Sequence, residues 1–177
     1  MRVIAGNLGG RTFQSPHTNR THPMSDKVRG ALFNMLGDLE GLTILDAYAG
    51  SGACSIESVS RGARSVMSID IDPEAVKTIA ANIRDLNLTD VINLRRANIS
   101  GWIRNHKNDE FDVVLADPPY DDIRVDILKR IAAVAKPGGI FVLSWPGSEP
   151  SRPFPGFDLV NHKSYGDAQL LFYRRNS

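Results

Sequence analysis

The stretch Thr43-Ile-Leu-Asp-Ala-Tyr-Ala-Gly-Ser-Gly52 decides the fold of this chain. Ile44 and Leu45 lie in an apolar strand over 43–47, and Gly50 and Gly52 stand two apart before a helix over 52–61. Paired glycines let the backbone turn tightly and approach a ligand with no Cβ in the way. The N–H groups exposed where the helix starts favour a negatively charged group. Strand, glycine turn and helix form the opening unit of a sheet that keeps its ligands at the carboxyl ends of its strands.

Outward from this unit the pattern alternates. Further strands are expected at 65–70, 91–95, 112–116 and 140–144, and helices at 73–86, 98–106 and 123–135. Such alternation implies right-handed crossovers and a parallel sheet covered on both faces. Between Trp145 and Phe157 it breaks, because Pro146, Pro150, Pro153 and Pro155 cannot sit inside a helix. Segments 158–164 and 169–174 flank Tyr165-Gly166-Asp167, a hairpin signal that turns the last strand antiparallel. Upstream, Arg2-Val-Ile-Ala-Gly6 and Gly9-Gly-Arg-Thr-Phe13 read as two short strands around a glycine turn. Ser25-Asp26 starts a helix whose apolar stripe is Val28, Ala31, Leu32, Met35 and Leu36, expected to lie on the main sheet.

The strand ends name a ligand. No Gly-Lys-Ser/Thr follows the glycines, so a triphosphate loop is excluded, and Ser55 stands where a dinucleotide fingerprint needs its third glycine. Asp46 would repel a pyrophosphate but meet an ammonium. An amino-acid moiety suits the loop better and points to S-adenosylmethionine, held by Asp46, Tyr48, Gly50, Ser51 and Gly52. Asp70 comes 20 residues after Gly50, where a carboxylate would take the hydroxyls of a ribose. Ile71 would lie against the adenine, and Asn98 would read its edge beside Ile99. Capping the helix after 72 falls more naturally to Asp72, whereas for Asn98 capping and base reading stand level.

Asp117-Pro118-Pro119-Tyr120 ends the apolar run Phe111–Ala116 and supplies the acceptor side. The carboxylate accepts a hydrogen bond from an exocyclic N–H. The prolines remove donors and stiffen the loop, leaving the Pro118 carbonyl as a second acceptor. Tyr120 offers a ring face for stacking. The four residues read as the catalytic holder of an amino nitrogen awaiting methylation.

Composition limits the rest. With 177 residues and 42% apolar content, one domain with a substantial core is expected. Residues 1–29 carry a charge of +4 and the remainder −3, a possible phosphate-binding arm. A single cysteine excludes an internal disulfide and fits a reducing compartment, and no histidine spacing suits a metal. There is no signal peptide and no apolar run near 18 residues, so a cytoplasmic protein is expected, acting as a monomer.

The chain resembles the bacterial 16S ribosomal RNA guanine-N2 methyltransferases of the RsmD type. The likeness runs through Met1–Gly6, Gly10-Arg11, Thr21–Asn34, Leu45–Gly52, Ser60–Ala63, Asp117–Tyr120 and Tyr165–Tyr173. It implies a Rossmann-like class I methyltransferase fold, with a mostly parallel seven-stranded sheet, an antiparallel last strand and an N-terminal hairpin and helix. It implies one domain over 1–177, with 1–40 as a basic extension and 41–177 as the catalytic core. Methylation of a guanine N2 amine in the small ribosomal subunit's RNA follows, with Arg11, Arg20, His22, Lys27 and Arg29 toward RNA. Two features depart from the family: His22 stands where arginine is usual, and the proline-rich 146–156 stretch replaces a helix. A DNA adenine-N6 methyltransferase, a glutamine methyltransferase and a non-catalytic RNA-binding or assembly factor are the alternatives.

Overall fold

A computed structural model describes residues 1–16 and 24–177. Seven strands form one sheet in the order β3-β2-β1-β4-β5-β7-β6. The chain divides into two compact units, Met1–Ile99 and Ser100–Ser177.

The first unit holds β1 (Thr43–Asp46), α2 (Ala53–Ser60), β2 (Ser65–Asp70), α3 (Pro73–Asp85) and β3 (Ile92–Arg96), preceded by α1 (Asp26–Leu36). The pairings β1–β2 and β2–β3 are parallel, with Asp46 opposite Ser68 and Asp70 opposite Arg96. All three strands therefore end at one edge. Each boundary falls within a few residues of the alternation read from sequence. Asp72 caps α3 by accepting from the N–H groups of Glu74 and Ala75, with Pro73 in the first turn.

The N-terminal arm is thinner than expected. A single antiparallel bridge, Arg2 with Thr12, replaces two strands, supported by the Val3 N–H donating to the Arg11 carbonyl at 2.9 Å. On α1 the buried face is Arg29, Leu32 and Phe33, rotated from the expected stripe. The reason is electrostatic: Glu57 of α2 draws Arg29 inward, and the Arg61 guanidinium lies 5.4 Å from the Phe33 ring centre. Helix α1 is thereby tied to α2 by charged side chains, a contact that hydrophobic periodicity does not encode.

The second unit holds α4 (Ile99–Asn105), β4 (Phe111–Ala116), α5 (Val125–Ala132), β5 (Ala135–Pro146), β6 (Phe157–Tyr165) and β7 (Ala168–Arg175). Strands β4 and β5 run parallel, and β7 lies antiparallel between β5 and β6, as the hairpin signal required. Five successive residues of β7, Gln169 to Tyr173, are buried, whereas β6 is an exposed edge. Strand β5 begins five residues earlier than expected. Pro137 keeps Lys136 out of helical geometry, and the register jumps from Phe111–Ala135 to Val113–Ile140 around Gly138 and Gly139. A Cβ on Gly139 would sit 2.8 Å from the Lys136 carbonyl and 2.9 Å from that of Asp112, so only glycine closes this bulge.

The 147–156 segment is not loose. The Trp145 indole N–H donates to the Pro150 carbonyl at 3.2 Å, and the Gln169 amide donates to the carbonyls of Pro146 and Glu149. The Tyr173 hydroxyl donates to the Arg152 carbonyl at 2.8 Å, and Phe154 is buried against Phe141 and Tyr173. Side chains of β5 and β7 hold this strap in place.

Candidate active site

At the end of β1 the turn 47–52 folds onto β2. The Ala49 N–H donates to the Ile69 carbonyl at 2.9 Å, and the Gly50 N–H donates to Asp70 Oδ2 at 2.7 Å. The other Asp70 oxygen accepts from the Asp72 N–H at 2.8 Å. Burial pushes the Asp70 carboxyl above its ordinary value, opposed by the N–H groups of Asp72 and Gly50, which favour the carboxylate. Ile71, next in the chain, is 59% exposed, an unusual state for a large apolar side chain. The Ala97 N–H bonds the Asp70 carbonyl at 2.9 Å, bringing the β3–α4 loop, with Asn98 exposed, to the same edge. Ile99 is buried as the first residue of α4. Gly50, Asp70, Ile71 and Asn98 are thus gathered as the sequence suggested.

Within the turn, Tyr48 is half-buried, and the buried Ser51 accepts weakly from the Ala53 N–H at 3.4 Å. Asp46 is almost wholly buried, and the Ser55 hydroxyl donates to it at 2.7 Å while pairing with Ser68 at 2.9 Å. Ser55 replaces a glycine because here it links β1, α2 and β2. Gly52 caps α2 in the left-handed region, at φ +76°, where a Cβ would lie 3.0 Å and 3.2 Å from the two γ-carbons of Ile79. Gly52→Ala should therefore cost about 1–2 kcal/mol from φ alone, with crowding added. Chemical denaturation of Gly52→Ala in wild type and in an Ile79→Ala background, which lacks both γ-carbons, separates the two terms. No cost of Gly52→Ala in the Ile79→Ala background would refute the φ argument.

The second cluster lies at the end of β4. Ala116 pairs with Leu143 of β5, which places Asp117 and Ser144 side by side. The Ser144 hydroxyl hydrogen-bonds the Asp117 side chain and meets the Tyr120 hydroxyl at 2.8 Å. The Tyr120 hydroxyl also reaches the Trp145 carbonyl at 3.2 Å. Burial raises the Asp117 carboxyl above its ordinary value, and the Ser144 bond works against that rise. Burial likewise raises the Tyr120 phenol, with Ser144 opposing and the charges of Asp117 and Asp167 adding. Pro118 is buried and Pro119 exposed, and Tyr120 keeps 40% of its surface open although its hydroxyl is fixed. The result is a half-buried acid beside a ring held by its polar end.

The basic arm needs one correction. Arg29 was expected at RNA, but it is wholly buried, donating to the Arg2 carbonyl at 2.7 Å and to Asp26 at 3.0 Å, with Glu57 at 3.9 Å. A guanidinium enclosed in this way neutralises a buried acid and does not reach a phosphate. Arg11 and Lys27 are exposed, whereas Arg20 and His22 lie outside the described residues. Sequence reasoning missed Ser144, a lone polar residue in the apolar run Ile140–Trp145, and Glu57, an acid amid small residues of α2. Those two outliers were the available signal. Among the described residues no acid, histidine or cysteine cluster suits a metal, and no helix is long and apolar enough to cross a membrane.

The family described as conserved hypothetical protein 95 matches residues 1–174. The chain belongs to this family, the RsmD type. A Bacillus subtilis (strain 168) relative, "Putative rRNA methyltransferase YlbH", is 34% identical over 99% of both chains. The Escherichia coli K12 "Ribosomal RNA small subunit methyltransferase D" is 30% identical over 68% of this chain and 60% of its own length. Among solved structures, Escherichia coli yhhF aligns with a TM-score of 0.87 over 99% of this chain and 98% of that one, at 23% identity. This last likeness shows the fold, a class I methyltransferase sheet.

Proposed function

We propose that this chain transfers the methyl group of S-adenosylmethionine to the exocyclic N2 amine of a guanine in small-subunit ribosomal RNA. The observation that carries the reading is the Asp117–Ser144–Tyr120 cluster, an acid and a stacking ring fixed together at adjacent strand ends. The names of the curated relatives support ribosomal RNA as substrate. We take residues 1–177 as one methyltransferase domain working as a monomer in the cytoplasm.

The residues at the first edge fit the methyl donor. Asp70 suits ribose hydroxyls, the exposed Ile71 suits an adenine face, and the Gly50–Gly52 turn admits the amino-acid end without a Cβ. Once bound, S-adenosylmethionine supplies an electrophilic methyl carbon on a sulfonium.

The chain's own residues do the rest. A guanine amine is a poor nucleophile because its lone pair is delocalised into the ring. Asp117 and the Pro118 carbonyl, accepting its two N–H bonds, favour a pyramidal nitrogen with the lone pair directed outward. This is positioning with preorganised electrostatics. The Tyr120 face stacks the base, which must stand in a loop or be flipped from its helix.

The test is transfer of a tritiated methyl group to small subunits, naked 16S RNA and DNA from a strain lacking the gene, with mapping of the labelled base. Label at a guanine N2 of the small subunit supports the reading. Label at an adenine N6, in DNA, or on no nucleic acid defeats it. Arg11 and Lys27 should contact phosphate. Replacing both with serine should flatten the log–log salt dependence of RNA binding by roughly 1.5, leaving sequence preference unchanged.

A further inference from the structure

The Ser144 hydroxyl touches both halves of the acceptor cluster, although nothing in the amine-methylation chemistry itself requires a serine there. We propose that Ser144 is a positioning residue that locks the Asp117 carboxylate and the Tyr120 ring into one rigid acceptor unit, an inference that rests on the amine-methylation reading above.

An ionised carboxylate only accepts, and a serine hydroxyl has a single proton. With Asp117 ionised, Ser144 donates to it, so Tyr120 meets the Ser144 lone pairs and is the donor across 2.8 Å. The Trp145 carbonyl at 3.2 Å, itself acceptor-only, shares that phenol proton across the longer of the two contacts. The shorter contact runs on from phenol to serine to acid. Protonation of Asp117 removes this order, because the acid becomes a donor competing for the same serine oxygen.

The surroundings make Ser144 the sensitive element. Burial disfavours the Asp117 charge, and the negative charges of Asp117 and Asp167 both bear on Tyr120. The Ser144 bond acts in the opposite sense, favouring the ionised form that an amine donor needs. Ser144 is itself buried in β5, where its neighbour Trp145 is anchored to the Pro150 carbonyl, so the hydroxyl has little freedom to leave.

The decisive measurement is the ¹³C titration of aspartate-labelled protein without substrate, with the Asp117 carboxyl signal identified by its loss in Asp117→Asn. In Ser144→Ala the midpoint should move up by about one pH unit or more. Ser144→Cys keeps the volume but donates weakly, and should fall between. The acid limb of RNA methylation should move in the same direction, which a purely structural role would not produce. Coincident Asp117 midpoints in wild type and both variants would overturn the proposal, whatever the activity. If the midpoint moves but wild type methylates no RNA, the amine-methylation reading fails and the clamp stands.

Discussion

Asp117→Ala should lower methyl transfer to ribosomal RNA roughly 10–100-fold, with cofactor affinity unchanged. The size follows from the loss of a charge-assisted hydrogen bond, worth about 1.5–3 kcal/mol, at a point where each 1.36 kcal/mol is about tenfold in rate. Asp117→Asn keeps one acceptor oxygen and should be milder. The same position makes a second, opposite prediction about stability. Burial holds the Asp117 carboxyl above its ordinary value of 3.8, so the folded state binds this proton more tightly than the unfolded chain does. Stability from this group is then greatest below the unfolded value, and declines as pH rises through the folded one. Asparagine has no proton to lose. Asp117→Asn should therefore gain on wild type through that window and melt no lower at pH 7. Thermal melts from pH 3 to 8, paired with single-turnover assays, test both halves. A variant that is fully active, or one that melts lower at pH 7, would contradict the assignment of a half-buried acid retained for chemistry.

Glu57→Ala should produce a large loss of stability. This acid is almost wholly buried on α2, and its oxygens accept from the backbone N–H of Ile4 at 2.8 Å, that of Ala5 at 3.1 Å, and Arg61 Nε at 2.8 Å. Arg29, fully enclosed, has Glu57 as its buried counter-charge. Removing Glu57 leaves the enclosed Arg29 only the exposed Asp26 as counter-charge and orphans the N–H groups of Ile4 and Ala5, a loss of about 3–5 kcal/mol. For a chain of this length that corresponds to a fall in melting temperature of roughly 6–20 °C. The amides of Ile4 and Ala5 should exchange faster in the same variant. Melting within a degree of wild type, with exchange unchanged, would show that the arm is held by something else.

The fold was legible because its signals are local. Alternating strands and helices, the Asp72-Pro73 helix start and the Tyr165-Gly166-Asp167 turn each work over a few residues, and each sits where expected. The strand-end residues Gly50, Asp70, Ile71 and Asn98 were legible for the same reason, since the parallel topology delivers strand ends to a common edge. What sequence reading missed depends on partners distant in the chain. Arg29 looked like a phosphate contact because its charge was visible and its burial against Glu57 was not. Ser144 was overlooked because a hydroxyl matters only through what lies beside it, and its pairing with Asp117 exists only once β4 and β5 are in register. Phe33 and the rotation of α1 belong to the same class.

The proline strap has a practical consequence for anyone redesigning this enzyme. A stretch of glycine, serine and three prolines at the surface invites trimming or tag insertion. Yet its carbonyls receive Trp145, Gln169 and Tyr173 from the strands that carry the Ser144 shelf. Foreign sequence spliced between Gly147 and Gly156 would strip Trp145 and Tyr173 of their acceptors and leave Gln169 only the Pro146 carbonyl, loosening β5 and β7 where Ser144 stands.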